Sequence, residues 1–158
     1  MPGAFPIIQK AFETIGFAKV ATSAKEAQAI GYLQKDDSIV VNRDYIISEA
    51  KAEVLSMSED YVKPDIETFK LPGKSGRLVL DGTLKGFVKS GKISEHDALI
   101  GRRLGYVLTG GDKGGPFTSV DEQYLLDIER EMFVSLAGEQ KSIERIEYML
   151  KRGKPLRN

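Results

Sequence analysis

Residues 119–158, SVDEQYLLDIEREMFVSLAGEQKSIERIEYMLKRGKPLRN, constrain the fold more than any other stretch. Apolar residues at Val120, Tyr124, Leu125, Ile128, Met132, Phe133 and Leu136 recur at helical spacing, which predicts a helix with one buried face. Ser119 with Glu122 three residues later reads as a capping box, in which the two side chains satisfy backbone N–H groups left free at a helix start. Gly138 is the expected stop, through the left-handed conformation that glycine adopts without penalty. A second helix carries Ile143, Ile146, Met149 and Leu150 on one side, with Tyr148 opposite and Lys151 one turn further on. Gly153 and Pro155 end it, the first as a cap and the second because it lacks an N–H.

The upstream chain repeats this helical pattern. A first helix is expected over residues 5–20, with Pro6 in its first turn and Ile8, Ala11, Phe12 and Ile15 as its buried stripe. Ser23 and Glu26 form a capping box for a short helix that Gly31 ends. Residues 38–41 offer a short strand. Asn42 is a good N-cap for a helix running to about residue 58, with Ile46, Ile47, Ala50, Val54 and Met57 facing inward. Pro64 breaks the pattern, and residues 68–71 offer a second short strand. Helices follow over about 75–90, weakened by Gly82 and Gly86, and from Ser94 to about residue 108. GGDKGGPF is a loop by composition and is expected to be flexible. The fold class is therefore mainly α, with at most one or two short strands.

Composition removes several function classes. The 158 residues suffice for one ordinary domain with its own core. Lys plus Arg equals Asp plus Glu at 23 each, so the basic excess of a nucleic-acid or membrane-surface binder is missing. With no cysteine there are no disulfides, thiolate catalysis or cysteine metal sites. No apolar run approaches the roughly 20 residues that span a bilayer, and MPGAFPIIQK lacks the pattern of a signal peptide. A cytoplasmic location is the expectation.

The ending ERI…ML…GKPLRN resembles the extreme C-terminus of the bacterial multifunctional fatty-acid oxidation enzymes that combine 3-hydroxyacyl-CoA dehydrogenase with enoyl-CoA hydratase. The resemblance extends upstream through KAFETIGFAKVATSAKEAQAIGYL, VNRDYIISEAK, ISEHDALIGRRLGYVLTGGD and VDEQYLLDIERE. It covers nearly the whole chain but only the tail of the parent enzyme. It implies a helical C-terminal part of a crotonase-type domain: residues 1–63 as the first C-terminal helices, 64–118 as an inserted helical segment that simple crotonases lack, and 119–158 as the terminal helix pair. The catalytic glutamates, the oxyanion hole and the hydride-transfer site would lie before residue 1. NAD is then expected for the parent, and no cofactor is expected to bind this segment. The expected partners are acyl-CoA in the assembled parent, the parent's own N-terminal domains, and a second copy in a homo-oligomer.

Other candidate chemistry is thin. PGKSG, residues 72–76, is like the end of a P-loop, but Thr68 stands where the first P-loop glycine belongs, and a plain turn accounts for it. Gly110 to Gly115 does not match G-x-G-x-x-G. His96 is the only histidine; a metal site needs about three protein ligands, and a triad needs a nucleophile that nothing here specifies. Ser94 and Asp97 are capping residues, which puts His96 on a first exposed turn. The carboxylates Asp121, Glu122, Asp127, Glu129 and Glu131 lie mostly off the apolar stripe, as a solvated face does. No catalytic or metal-binding residue is assigned.

The basic end, Lys151, Arg152, Lys154 and Arg157, has two readings. Cations near a helix C-terminus interact favourably with its dipole and need no ligand. The resemblance offers the other: the last crotonase helix carries Phe-x-x-Lys against the adenine and phosphates of CoA, and that pattern falls on Tyr148 and Lys151, with Tyr in place of Phe. Arg152 and Lys154 would add charge beside them. The leading expectation is a segment that caps the hydratase core, helps form the acyl-CoA cleft and mediates subunit contacts, and that is inactive by itself. The alternative is a free-standing helical protein-interaction module.

Overall fold

The structure, a computed structural model, describes residues 5–158. It is mainly helical, with seven α-helices and one two-stranded sheet among the described residues. Two compact units divide the chain: residues 5–17 with Ile66–Asn158, and Ala18–Asp65.

The larger unit is built on α1 (Phe5–Gly16), α4 (Gly73–Lys89) and α5 (Glu95–Leu108). Ile8 and Phe12, four apart on α1, are buried against Leu80 and Leu84, four apart on α4, and Ala98 of α5. Phe5, Leu71, Val88, Ile93, Leu104 and Leu108 pack around them. The glycines of α5 set the distance between these helices. A Cβ added at Gly101 would stand 2.7 Å from Leu84 Cδ2, and one at Gly105 would stand 3.4 Å from Leu80 Cδ1. Leu80 and Leu84 thus fill notches where α5 has no side chains, which lets apolar surface leave water at close helix approach. α1 is shorter than the sequence suggests. It ends at Gly16, and Ile15 is exposed rather than part of the buried stripe.

β1 (Thr68–Phe69) pairs antiparallel with β2 (Val120–Asp121), Thr68 opposite Asp121 and Phe69 opposite Val120. Only the first of these strands is foreshadowed in the sequence. Val120 is buried in this ladder instead of opening the next helix, so α6 (Glu122–Ala137) is capped by Asp121, whose carboxylate accepts the Tyr124 N–H at 2.8 Å. Ser119 is not the cap. Of the stripe expected on α6, Ile128 is buried, Tyr124, Leu125, Met132 and Leu136 are half-buried, and Phe133 is exposed. Gly138 ends α6 at φ −81°, in an ordinary right-handed conformation rather than the left-handed one. α7 (Gln140–Arg152) follows almost at once.

The glycine-rich loop after α5 is close-packed, not loose. Gly110 and Gly111 are buried, and the Gly73 N–H donates to the Thr109 carbonyl at 2.9 Å. Gly73 itself holds φ +61°, and a Cβ there would collide with the Gly114 carbonyl. PGKSG is accordingly not a free turn: Gly73 to Gly76 form the first turn of α4, pinned against the loop at Gly114 and Gly115.

The Ala18–Asp65 unit holds α2 (Ala24–Ile30), a 3-10 turn (Arg43–Tyr45) and α3 (Ile46–Met57). Ser23 caps α2 by accepting the Glu26 N–H, but Glu26 reaches back to the N–H and hydroxyl of Thr22 at 2.7 and 2.6 Å, one residue earlier than a capping box requires. Gly31 ends α2 in the left-handed conformation. Asn42 does cap a helical start, accepting the Asp44 N–H at 3.0 Å. Residues 38–41 form no strand, because no ladder partner lies beside them; Ser38 instead donates to Glu53 of α3 at 2.9 Å. None of Ile46, Ile47, Ala50, Val54 and Met57 is buried, so the inward face expected for α3 is exposed.

Candidate functional site

α7 and the residues that return beside it hold the positions that the sequence singles out. Gly153 closes the helix at φ +65°, its N–H donating to the Met149 carbonyl at 2.8 Å. The chain then doubles back, and Asn158 Nδ2 donates to Glu144 Oε2 at 2.8 Å and to the Lys141 carbonyl at 3.3 Å. Arg145 secures this return. Its Nε donates to Asn158 Oδ1 at 2.8 Å and its Nη2 to the Asn158 main-chain oxygen at 3.3 Å.

The same guanidinium joins α7 to the start of α5. Arg145 Nη1 donates to Asp97 Oδ1 at 2.7 Å, with both side chains largely covered. Asp97 Oδ2 takes the Ser94 N–H at 2.9 Å, while the Ser94 hydroxyl takes the Asp97 N–H at 3.1 Å. That is a complete capping box, as the serine and aspartate predict. Burial pushes the Asp97 carboxyl up, but the Ser94 N–H, Arg145 and the Ser94 hydroxyl outweigh it and hold the group below its usual range.

His96 does not sit on an exposed turn. It is 5% exposed, and its Nε2 lies 3.0 Å from the Ser142 hydroxyl of α7. The capping motif places His96 in the first turn of α5, but α7, 46 residues away in sequence, supplies the cover. Burial lowers the imidazole pKa, the nearby Arg145 and Lys141 lower it further, and Glu139 and Asp97 oppose them. A neutral histidine bridging two helices is a structural role. Asp97 is committed to Arg145 and Ser94, so the serine and histidine lack the orienting third group of a catalytic triad. Among the described residues no group of three or more histidine or acidic side chains is arranged to hold a metal ion.

The four basic-end candidates lie on the outer parts of this element. Tyr148 is 37% exposed. Lys151 Nζ meets Glu147 Oε2 at 3.0 Å, an exposed pair one helical turn apart. Arg152 and Lys154 are exposed, with no ion-pair partner among the described residues. Tyr148 and Lys151 are three apart and share a face; Gly153 carries Lys154 past the helix end. Sequence reading missed the roles of Ser142, Arg145 and Asn158: His96 and Asp97, which the first two meet, lie on α5, and Asn158 meets α7 only because the chain doubles back after Gly153.

A second polar cluster surrounds the glycine-rich loop. The Arg77 guanidinium lies 4.8 Å from the centre of the Tyr106 ring and 3.7 Å from Asp112, and Lys113 Nζ lies 4.3 Å from the centre of the Tyr124 ring. Burial pushes the Tyr106 hydroxyl above its ordinary range, and the Asp112 carboxylate adds to this. These cations are already satisfied by rings and a carboxylate, which fits them to holding the loop. A shallow concavity of about 340 Å³ in the Ala18–Asp65 unit is lined by Ser38, Asn42, Tyr45, Glu49 and Glu53 among others. Its two carboxylates suit no phosphate ligand.

No family model matches the chain, and no solved structure matches it. It is 46% identical over 151 residues, 94% of its length, to a probable 3-hydroxyacyl-CoA dehydrogenase of Bacillus subtilis (strain 168). This chain is related to one segment of that protein. It spans 19% of the longer chain's length. No helix among the described residues is long and apolar enough to cross a membrane.

Proposed function

We propose that this chain is a helical segment of a longer fatty-acid β-oxidation enzyme, a 3-hydroxyacyl-CoA dehydrogenase joined to an enoyl-CoA hydratase of crotonase type. It caps the hydratase core, helps form the acyl-CoA cleft and mediates subunit contacts. The observation that carries this is the 46% identity over nearly the whole chain to part of a probable 3-hydroxyacyl-CoA dehydrogenase. NAD belongs to the upstream dehydrogenase part of that enzyme. The exposed apolar residues of α3, α6 and α7 support a covering role, since large uncovered apolar surface marks a contact.

In this reading Tyr148 stacks on the adenine of CoA and Lys151 meets a phosphate, with Arg152 and Lys154 adding charge. The test is Tyr148→Ala in the full-length enzyme. Acyl-CoA binding is expected to weaken by about 1–3 kcal/mol, the worth of one aromatic–base stack. KM should rise while kcat stays nearly constant, because the adenine end is remote from the reacting atoms. A variant that loses thermal stability while keeping its CoA affinity would remove the ligand role from Tyr148. A second reading, a free-standing interaction module, draws on the wholly exposed α3. It predicts specific capture of a partner protein and no contribution to acyl-CoA binding.

A further inference from the structure

Arg103 of α5 meets an acceptor too weak for its charge. Its Nη1 donates to the Met132 sulfur of α6 at 3.9 Å, and its Nε is buried with no partner. Among the described residues no carboxylate lies within ion-pair distance of it. The neighbouring Arg102, by contrast, is paired with Asp81 at 2.9 Å. A guanidinium keeps its charge at any pH a protein meets, and a thioether is a weak acceptor. A buried donor left without a partner costs free energy, so this contact is short of one strong acceptor.

A single oxygen atom on the Met132 sulfur would supply it. A sulfoxide oxygen carries a large negative partial charge. Placed between a sulfur and a guanidinium nitrogen that are 3.9 Å apart, it would accept a charge-assisted hydrogen bond. We propose that Met132 is a modification site for peroxide, and that Arg103 takes up the sulfoxide so that oxidation tightens the junction of α5 and α6. Sulfoxidation in an apolar contact ordinarily does the reverse, since it makes the side chain polar with nothing to receive it. In the reaction the sulfur lone pair attacks one oxygen of hydrogen peroxide, the S–O bond forms and the O–O bond breaks. Sulfur gives up two electrons and the peroxide is reduced; the departing hydroxide takes the proton of the transferred oxygen and leaves as water. Met132 is half-buried, within reach of a reagent as small as hydrogen peroxide. The inference does not rest on the function proposed above.

The test uses the 158-residue chain with Met57→Leu and Met149→Leu, which removes two exposed thioethers. After hydrogen peroxide treatment, peptide mass spectrometry is expected to show one added oxygen at Met132. The thermal midpoint should hold or rise on oxidation. With Arg103→Leu added, the same oxidation should lower the midpoint by several degrees, because the sulfoxide then has no donor. Met132→Leu should abolish the response to peroxide, which assigns it to this sulfur rather than to Met1. Met132→Gln needs no oxidant: its amide oxygen offers Arg103 an acceptor, so the midpoint should hold with Arg103 present and fall by several degrees with Arg103→Leu. A Met132 that gains no oxygen, or an equal fall in midpoint with and without Arg103, would overturn the proposal. So would a midpoint that falls on oxidation of the parent or in Met132→Gln, a result that stands whether or not Arg103→Leu folds.

Discussion

Replacing His96 by glutamine tests the burial of the junction between α5 and α7. The imidazole is 5% exposed and hydrogen-bonded to Ser142, and both burial and the adjacent cations Arg145 and Lys141 lower its pKa from 6.5. In the unfolded chain the group returns to its ordinary value. Below that value the unfolded state binds a proton that the folded state refuses, so the unfolded state gains and stability falls as pH falls. The loss begins near pH 6.5 and continues until pH reaches the lowered folded value. Its slope reaches at most about 1.4 kcal/mol per pH unit, the value for one proton. Glutamine keeps a hydrogen-bonding group for Ser142 and has no proton to take up. Urea titrations at half-unit steps between about pH 5 and 8 should therefore show a decline in the unmodified chain and a flat profile in His96→Gln. The carboxylates held low contribute at lower pH, around and below the ordinary values of 4.5 for Glu26 and 3.8 for Asp81 and Asp97, so the two effects are separable in the upper part of that range. Equal slopes in both proteins would show that the buried His96 does not carry the effect.

Other expectations concern single contacts. Arg145→Ala removes charge-assisted bonds to Asp97 and Asn158 and should cost roughly 1.5–3 kcal/mol, read as a fall in thermal midpoint of several degrees. It should also flatten the acid limb, because Asp97 is held low partly by Arg145 and its stabilisation, present above the unfolded pKa, is lost as pH falls through the folded one. Leu84→Ala empties the Gly101 notch and should cost about 2–5 kcal/mol in denaturant unfolding; a loss under 1 kcal/mol would mean α4 and α5 collapse together. Gly73→Ala combines a left-handed backbone with a collision at the Gly114 carbonyl, and should cost more than the roughly 1–2 kcal/mol of the conformation alone. The isolated chain should turn over neither enoyl-CoA nor 3-hydroxyacyl-CoA with NAD; turnover by contaminant-free protein would overturn the reading of its role.

What the sequence determined by itself was local. Helix periods, the Ser94–Asp97 capping box, the Gly31 and Gly153 stops and the mainly α class depend on residues three or four apart, whose geometry the backbone sets before any packing occurs. Periodicity could say that a helix has an apolar face, but not what lies against that face. α3 and α7 leave theirs exposed, and α7 turns Ser142 and Arg145 inward because Asp97 and His96 lie there. The start of α6 moved from Ser119 to Asp121 because Val120 pairs across a ladder with Phe69, a partner about fifty residues away. His96 became buried and the glycine-rich loop became close-packed for the same reason. Burial and hydrogen-bond satisfaction are sums over neighbours, and those neighbours are brought together only by the tertiary fold.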